Sequence, residues 1–308
     1  MSGRSDLSTT IKIPTVSVII PTLNEARNLP HVFKNLPADA EIVLVDGRST
    51  DDTVAVAQSL RPDIIIVNQT RRGKGNALAC GFAAASGDII VMLDADGSAD
   101  PAEIGEFVRA LTAGADFAKG SRFINGGGSS DITRMRRAGN SFLSGLVNIF
   151  LDCRYSDLCY GYNAFWRHCL PALSLEPGDH SDAYEWGDGF EVETVINMRV
   201  ARAELRVVEV PSFEHPRIHG VSNLNAFSDG LRVLRTILVE SRGSRGRRRR
   251  LVPRWSTATA VGPNLTVLRP QQARGETPEG VRLEVSEADA GVGAMGTVGV
   301  VGSEVECA

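Results

Sequence analysis

The sequence predicts an α/β fold built on a mostly parallel sheet flanked by helices, and three observations carry that expectation. From position 16 onward, short β-branched runs alternate with amphipathic or alanine-rich segments. The runs are apolar throughout, as strands buried on both faces must be. Polar motifs stand at the ends of successive runs, where open α/β sheets bind their ligands.

Taken in order, the expected strands cover 16–20, 42–45, 64–67, 89–93 and 115–119. Between them lie segments starting near Glu25, Asp51, Gly75 and Pro101; acidic residues or proline at three of these starts suit a helix N-terminus. After Gly120 the pattern loosens into Ser121-Arg122-Phe123 and a turn with Gly126, Gly127 and Gly128. Arg134, Arg136 and Arg137 then open a helix running towards Asp152. A helix over 190–202 and a strand over 205–210 follow. Residues 226–241 read as an amphipathic helix, with Leu231, Leu234 and Leu238 at helical spacing, ending in Arg242, Arg245 and the run 247–250. Beyond Pro253 no periodicity persists, so a disordered tail is expected. The domain reading is therefore a disordered N-terminus over 1–13, one catalytic domain over 14–241, and a basic linker and disordered tail over 242–308.

Composition narrows the function classes. The 308 residues are 43% hydrophobic, enough for a sizeable core, and a formal charge of −4 argues against nucleic acid held on a globally basic surface. Five cysteines form no CxxC pair, which fits reduced thiols and a cytoplasmic setting. The N-terminus has no apolar core of a signal peptide. The longest apolar stretch, near 142–151, is too short for a membrane span of about 20 residues and reads as a buried helix before one that grazes lipid.

The central motif is Gly87 followed by an apolar run and then Asp94-Ala95-Asp96. In an extended strand, carboxylates at i and i+2 point to one side and suit one hard divalent cation. Three more motifs share the rim: Pro21-Thr22-Leu23-Asn24-Glu25, the loop at Asp46, and Gly73-Lys74-Gly75-Asn76, whose amides and cation offer an anion site at a helix start. A solvated loop lysine is the alternative for Lys74.

As a set these motifs resemble the family 2 glycosyltransferases of the GT-A fold, above all the dolichyl- or polyprenyl-phosphate mannose synthase branch, over about 16–238. The resemblance implies a metal-dependent inverting transferase using a UDP- or GDP-sugar. It implies that Pro21, Thr22, Asn24 and Glu25 meet the ribose and base region, that Asp46 reaches the base, and that Lys74 meets a donor phosphate. Asp94 and Asp96, with Ala95 between them, are implied to hold Mg²⁺ or Mn²⁺. Ser121, Arg122, Arg136, Arg137 and His219 are implied on the acceptor side, with Arg217 on the donor diphosphate. Asp157 matches a family segment and is either a base or a structural anchor, and Glu191 and Glu193 match a later acidic pair.

The chain departs from that family at Gly47-Arg48 after Asp46, at Ser98 where a glutamine is usual, at Asn163 in place of arginine and at Asn223 in place of lysine. The acceptor expected first is a polyprenyl or dolichyl phosphate, with a soluble natural-product nucleoside or sugar acid as the alternative. A peripheral membrane contact through the arginine-ended helix stands level with a core-packing helix followed by a solvated linker. A nucleotidyltransferase would need a Gly-x-Gly-Thr-Arg loop near the first strand, which is missing. A non-catalytic sugar-nucleotide sensor has no use for the intact Asp94 and Asp96.

Overall fold

A computed structural model describes residues 13–181, 184–220, 226–242 and 256–257. The apolar runs become strands β1 (Val16–Thr22), β2 (Glu41–Asp46), β3 (Ile65–Asn68), β4 (Ile89–Met92) and β5 (Phe117–Ser121). The intervening helices are α1 (Leu29–Lys34), α2 (Thr53–Leu60), α3 (Lys74–Ala84) and α4 (Ile104–Thr112), the last preceded by a 3₁₀ turn that Pro101 opens. Next come β6 (Gly128–Ser129), α5 (Arg134–Leu151), β7 (Asn163–Trp166), α6 (Leu170–Leu173), α7 (Val192–Arg202), β8 (Val207–Pro211), β9 (Phe213–Glu214), α8 (Ala226–Arg242) and β10 (Ser256–Thr257).

The main sheet runs β10-β8-β5-β7-β4-β1-β2-β3, and β6 pairs with β9 apart from it. All its pairings are parallel except those of β7, which lies antiparallel between β4 and β5. That strand escapes the sequence reading because its four residues carry no periodicity. Strand β5 starts two residues later than expected: Gly114, at φ 112°, ends the preceding helix, and Asp116 first turns its amide to the Arg206 carbonyl. Glu25 starts a turn instead of a helix; α1 begins at Leu29, with Pro30 in its first turn.

Both faces of the sheet are covered, which is why the strands are apolar without alternation. Val18, Ile20, Ile42 and Leu44 pack beneath α1 and α4 through Leu29, Val32, Phe107 and Leu111. Ile19, Val43, Val45 and Met92 face Leu78 of α3, Val147 of α5, Ile196 of α7 and Ile237 of α8. Every described residue falls in one compact unit, Met1–Val261. The disorder expected at 1–12 and beyond 257, the basic linker and Asn223 lie outside the described residues. The described cysteines, Cys80, Cys153, Cys159 and Cys169, are free thiols.

The apolar run on α5 corrects an expectation. Leu143 and Val147 are buried as the buried-helix reading requires, but Phe142 and Ile149 face outward, 62% and 78% exposed.

Candidate active site

Parallel register sets the donor rim. Thr22 and Asp46 end β1 and β2 as direct partners, and the Gly47 amide bonds back to the Thr22 carbonyl at 2.8 Å. The Thr22 hydroxyl donates to the Val45 carbonyl, so this buried residue shapes the rim through its backbone. Asn24, at φ 58°, accepts from the Thr50 amide at 2.7 Å, while its own amide donates to the Ser49 hydroxyl. Those bonds lock the two loops together through Asn24. Asp46 is buried; its Oδ2 accepts the amides of Arg48 and Ser49, and its Oδ1 has no hydrogen-bond partner. A buried carboxylate oxygen left without a donor suits an incoming N–H or hydroxyl.

Strand β4 stops at Met92, so Asp94 and Asp96 sit in the turn beyond it and not on an extended strand. The turn sends the two carboxylates to different cations. Lys74, the first residue of α3, places Nζ 2.7 Å from Asp94 Oδ1 and 2.7 Å from Glu193 Oε1. Burial alone would depress this ammonium, but Asp94 and Glu193 outweigh it and hold its pKa above the ordinary lysine value. The solvated-lysine alternative is thereby overturned. Arg217 reaches Asp96 Oδ2 at 3.3 Å and Glu25 Oε1 at 3.0 Å, while Asp96 Oδ1 accepts the Ser98 amide. Burial raises the Glu25 carboxyl despite the bonds from Asn28 and Arg217.

The segment carrying Arg217 is strapped onto the Asp94-Ala95-Asp96 turn through its backbone: His215 N bonds Ser98 O, and Ile218 N bonds Asp96 O. Gly97, at φ 79°, takes a backbone conformation that other residues rarely adopt, and a Cβ there would also push against the end of the Ile218 side chain. His219, expected on the acceptor side, lies beside α1, its ring 5.8 Å from that of His31 and its carbonyl accepting from Asn28.

Among the described residues no three His, Cys, Asp or Glu side chains form a closed metal cage. Asp94 and Asp96 nevertheless fit Mg²⁺ or Mn²⁺ by the chemistry of the donor set. They are hard oxygen donors at an accessible rim, and such ions commonly bind one or two carboxylates together with substrate phosphates.

The second constellation differs most from expectation. Arg122 is buried, with Nε and Nη2 on the two oxygens of Asp157 at 2.8 and 2.9 Å and Nη1 on Glu214 at 3.0 Å. Its guanidinium is taken up by two carboxylates and so ties the loop to both. Asp157 is fully buried against Arg122, a contact that suits the anchor of the two roles expected for it. Ser121 is likewise fully buried, its hydroxyl 2.6 Å from that of Ser156. Arg136 pairs with Asp131 at 3.1 Å, and Arg137 lies over the Phe123 ring, so both stand at the head of α5 beside the anchored loop. Pro21 ends its strand on the donor rim, and Ala95 is buried under the carboxylate turn.

Three contributors were not legible as site residues. Glu193 had only a family match, and Glu214 and Gly97 carry no local signature. Each acts through a contact distant in sequence: Glu193 on Lys74, Glu214 on Arg122, Gly97 beneath Ile218.

The glycosyl transferase family 2 model matches residues 17–169. Polyprenol monophosphomannose synthase of Mycolicibacterium smegmatis is 31% identical over 219 residues, covering 68% of this chain and 80% of that one. Dolichol-phosphate mannosyltransferase of Pyrococcus furiosus is 40% identical over 219 residues, covering 68% of this chain; this chain spans only 59% of its length. Among solved structures, glucosyl-3-phosphoglycerate synthase from Mycobacterium tuberculosis, in complex with Mn²⁺, UDP and phosphoglyceric acid, shares the fold with a TM-score of 0.57 and 23% identity, over 74% of this chain and 78% of that one.

Proposed function

Because the chain belongs to glycosyl transferase family 2, and so is a nucleotide-sugar glycosyltransferase, we propose that it moves a hexosyl group, with inversion, from a UDP- or GDP-sugar to a polyprenyl or dolichyl phosphate. The observation that carries this reading is the pair of ion pairs, Lys74 with Asp94 and Arg217 with Asp96, whose carboxylates stand two residues apart on one turn of the sheet rim. Two carboxylates, each paired with its own cation, match a diphosphate that arrives with a divalent ion.

On this reading Pro21, Thr22, Asn24 and Glu25 frame the nucleoside, and the partnerless Asp46 oxygen accepts from the base or ribose. Lys74 exchanges a carboxylate for a donor phosphate oxygen, as Arg217 does with its fork. A Mg²⁺ or Mn²⁺ held by Asp94 and Asp96 would supply charge neutralisation for the departing nucleoside diphosphate. The acceptor phosphate is already ionised, so attack at the anomeric carbon from the side opposite the diphosphate needs no general base. The new C–O bond forms as the bond to the donor diphosphate breaks. That agrees with Asp157, whose oxygens are both taken by Arg122. Arg136 and Arg137 are the cations offered to the acceptor phosphate.

The lipid acceptor and a peripheral membrane contact draw support from the two prenyl-phosphate relatives and from the outward apolar residues of α5. Released nucleotide, measured with polyprenyl phosphate and with soluble phosphorylated acids and nucleosides, tests the proposal. Polyprenyl phosphate is expected to accelerate release, and Asp94→Asn to lower it by at least about 100-fold. Acceleration by a soluble acceptor alone ends the lipid reading.

A further inference from the structure

Each aspartate of the Asp94-Ala95-Asp96 turn shares its cation with a glutamate brought from elsewhere in the chain. Lys74 lies between Asp94 and Glu193, 2.7 Å from each, and Arg217 lies between Asp96 at 3.3 Å and Glu25 at 3.0 Å. The partners are graded by depth. The Asp94 side chain is 39% exposed against 8% for Glu193, and that of Asp96 is 19% exposed against 9% for Glu25. An ion arriving from solvent therefore reaches the aspartates first, while the glutamates stay behind them with the cations.

Both cations stand on fixed backbone. Lys74 opens α3, where the Gly75 amide donates to the Asp188 carbonyl at 2.8 Å. Arg71 closes a buried, two-bonded pair on the Asp188 carboxylate at 2.9 and 3.0 Å, so the start of α3 is pinned to the segment that leads into α7 and Glu193. Arg217 is tied to the aspartate turn itself by the backbone bonds of His215 and Ile218. The glutamates cannot spare their cations either, because a buried carboxylate stripped of its partner is strongly destabilising.

A divalent ion that takes Asp94 and Asp96 must therefore break two ion pairs and then stand close to two positive charges that remain at the rim. A nucleoside diphosphate changes that balance. Its oxygens accept from the ammonium and the guanidinium that the aspartates give up.

We propose that Lys74 and Arg217 are resident counter-ions of the Asp94-Ala95-Asp96 turn, kept at the rim by Glu193 and Glu25 as positioning residues, so that each aspartate is released to a divalent ion when a nucleoside diphosphate takes its cation. The proposal rests on the donor reading above and adds the residues that couple the two ligands. Such coupling is reciprocal: what Mn²⁺ adds to nucleotide affinity, the nucleotide adds to Mn²⁺ affinity.

The test is calorimetric titration of Mn²⁺ into the full chain, alone and with UDP or GDP present. One of the two nucleotides is expected to tighten Mn²⁺ binding at least about fivefold. Lys74→Met is expected to tighten the binding of Mn²⁺ alone at least about fivefold and to shrink the gain from nucleotide. Adding Asp94→Asn to that variant is expected to remove the tightening, which locates the ion on Asp94. Glu193→Gln leaves Lys74 to Asp94 alone and is expected to weaken Mn²⁺ binding, a loss that Lys74→Met relieves; a merely structural loss at Glu193 would persist in the double variant. The melting point of each variant shows that it is folded. If nucleotide and Mn²⁺ together bind the unaltered chain but Lys74→Met leaves the affinity for Mn²⁺ alone unchanged or undetectable, the counter-ions are overturned and the donor site stands. Tightening that survives Asp94→Asn overturns them as well. Tighter Mn²⁺ binding in Lys74→Met without a response to either nucleotide upholds Lys74 as a counter-ion and removes the donor reading instead.

Discussion

Arg122 shows at a single residue how a group expected to meet a ligand is tied to the protein's own carboxylates. Both forks of its guanidinium are closed by Asp157 and Glu214 inside the protein. Arg122→Ala therefore strands two buried carboxylates and is expected to cost about 3–5 kcal/mol in chemical denaturation; a stability unchanged within error would return the residue to the acceptor site. Arg122→Lys is expected to be nearly as harmful, because a point charge cannot reproduce the bidentate geometry. At Gly97, an alanine would combine a positive φ with contact on Ile218, so Gly97→Ala is expected to weaken donor affinity in calorimetry by loosening the Arg217 strap. Local spacing revealed Asp94, Asp96, Asp46 and Lys74 because strand ends gather them on one rim. It did not reveal that Arg122 faces inward, since a buried and an exposed arginine look alike until their partners, here 35 and 92 positions away, are known.

At the scale of elements, the parallel strands were legible because burial on both faces leaves continuous apolar runs, and the long helices because their spacing persists. Strand β7 was not, since its antiparallel insertion between β4 and β5 is decided by pairing across the sheet. Pairing across the sheet also explains a buried polar layer. Lys119 of β5 stands opposite Glu209 of β8, and Glu209 accepts the Ser156 amide at 2.8 Å, steadying the segment that carries Asp157. Burial depresses the Lys119 ammonium and raises the Glu209 carboxyl. A raised carboxyl contributes stability that is present below its ordinary value of 4.5 and lost as pH rises through the folded value. The melting point of the protein relative to Glu209→Gln is therefore expected to fall as pH climbs from 4.5; a pH-independent difference would refute the assignment.

Across the whole molecule, the sheet divides the work. One end gathers the donor motifs, while α5 turns an apolar face outward and carries arginines in its first turn. The fold was readable from pattern alone, but that face was not, because the same apolar run on α5 supplies residues to both the core and the surface. The account turns on Asp94 and Asp96 sharing a divalent ion with the donor diphosphate. Calorimetric titration of UDP- and GDP-sugars, with and without Mn²⁺, into the protein and into Asp94→Asn measures that directly. One donor is expected to bind more tightly with Mn²⁺ and to lose that gain in the variant; equal affinity with and without Mn²⁺, or an undiminished gain in Asp94→Asn, would contradict it.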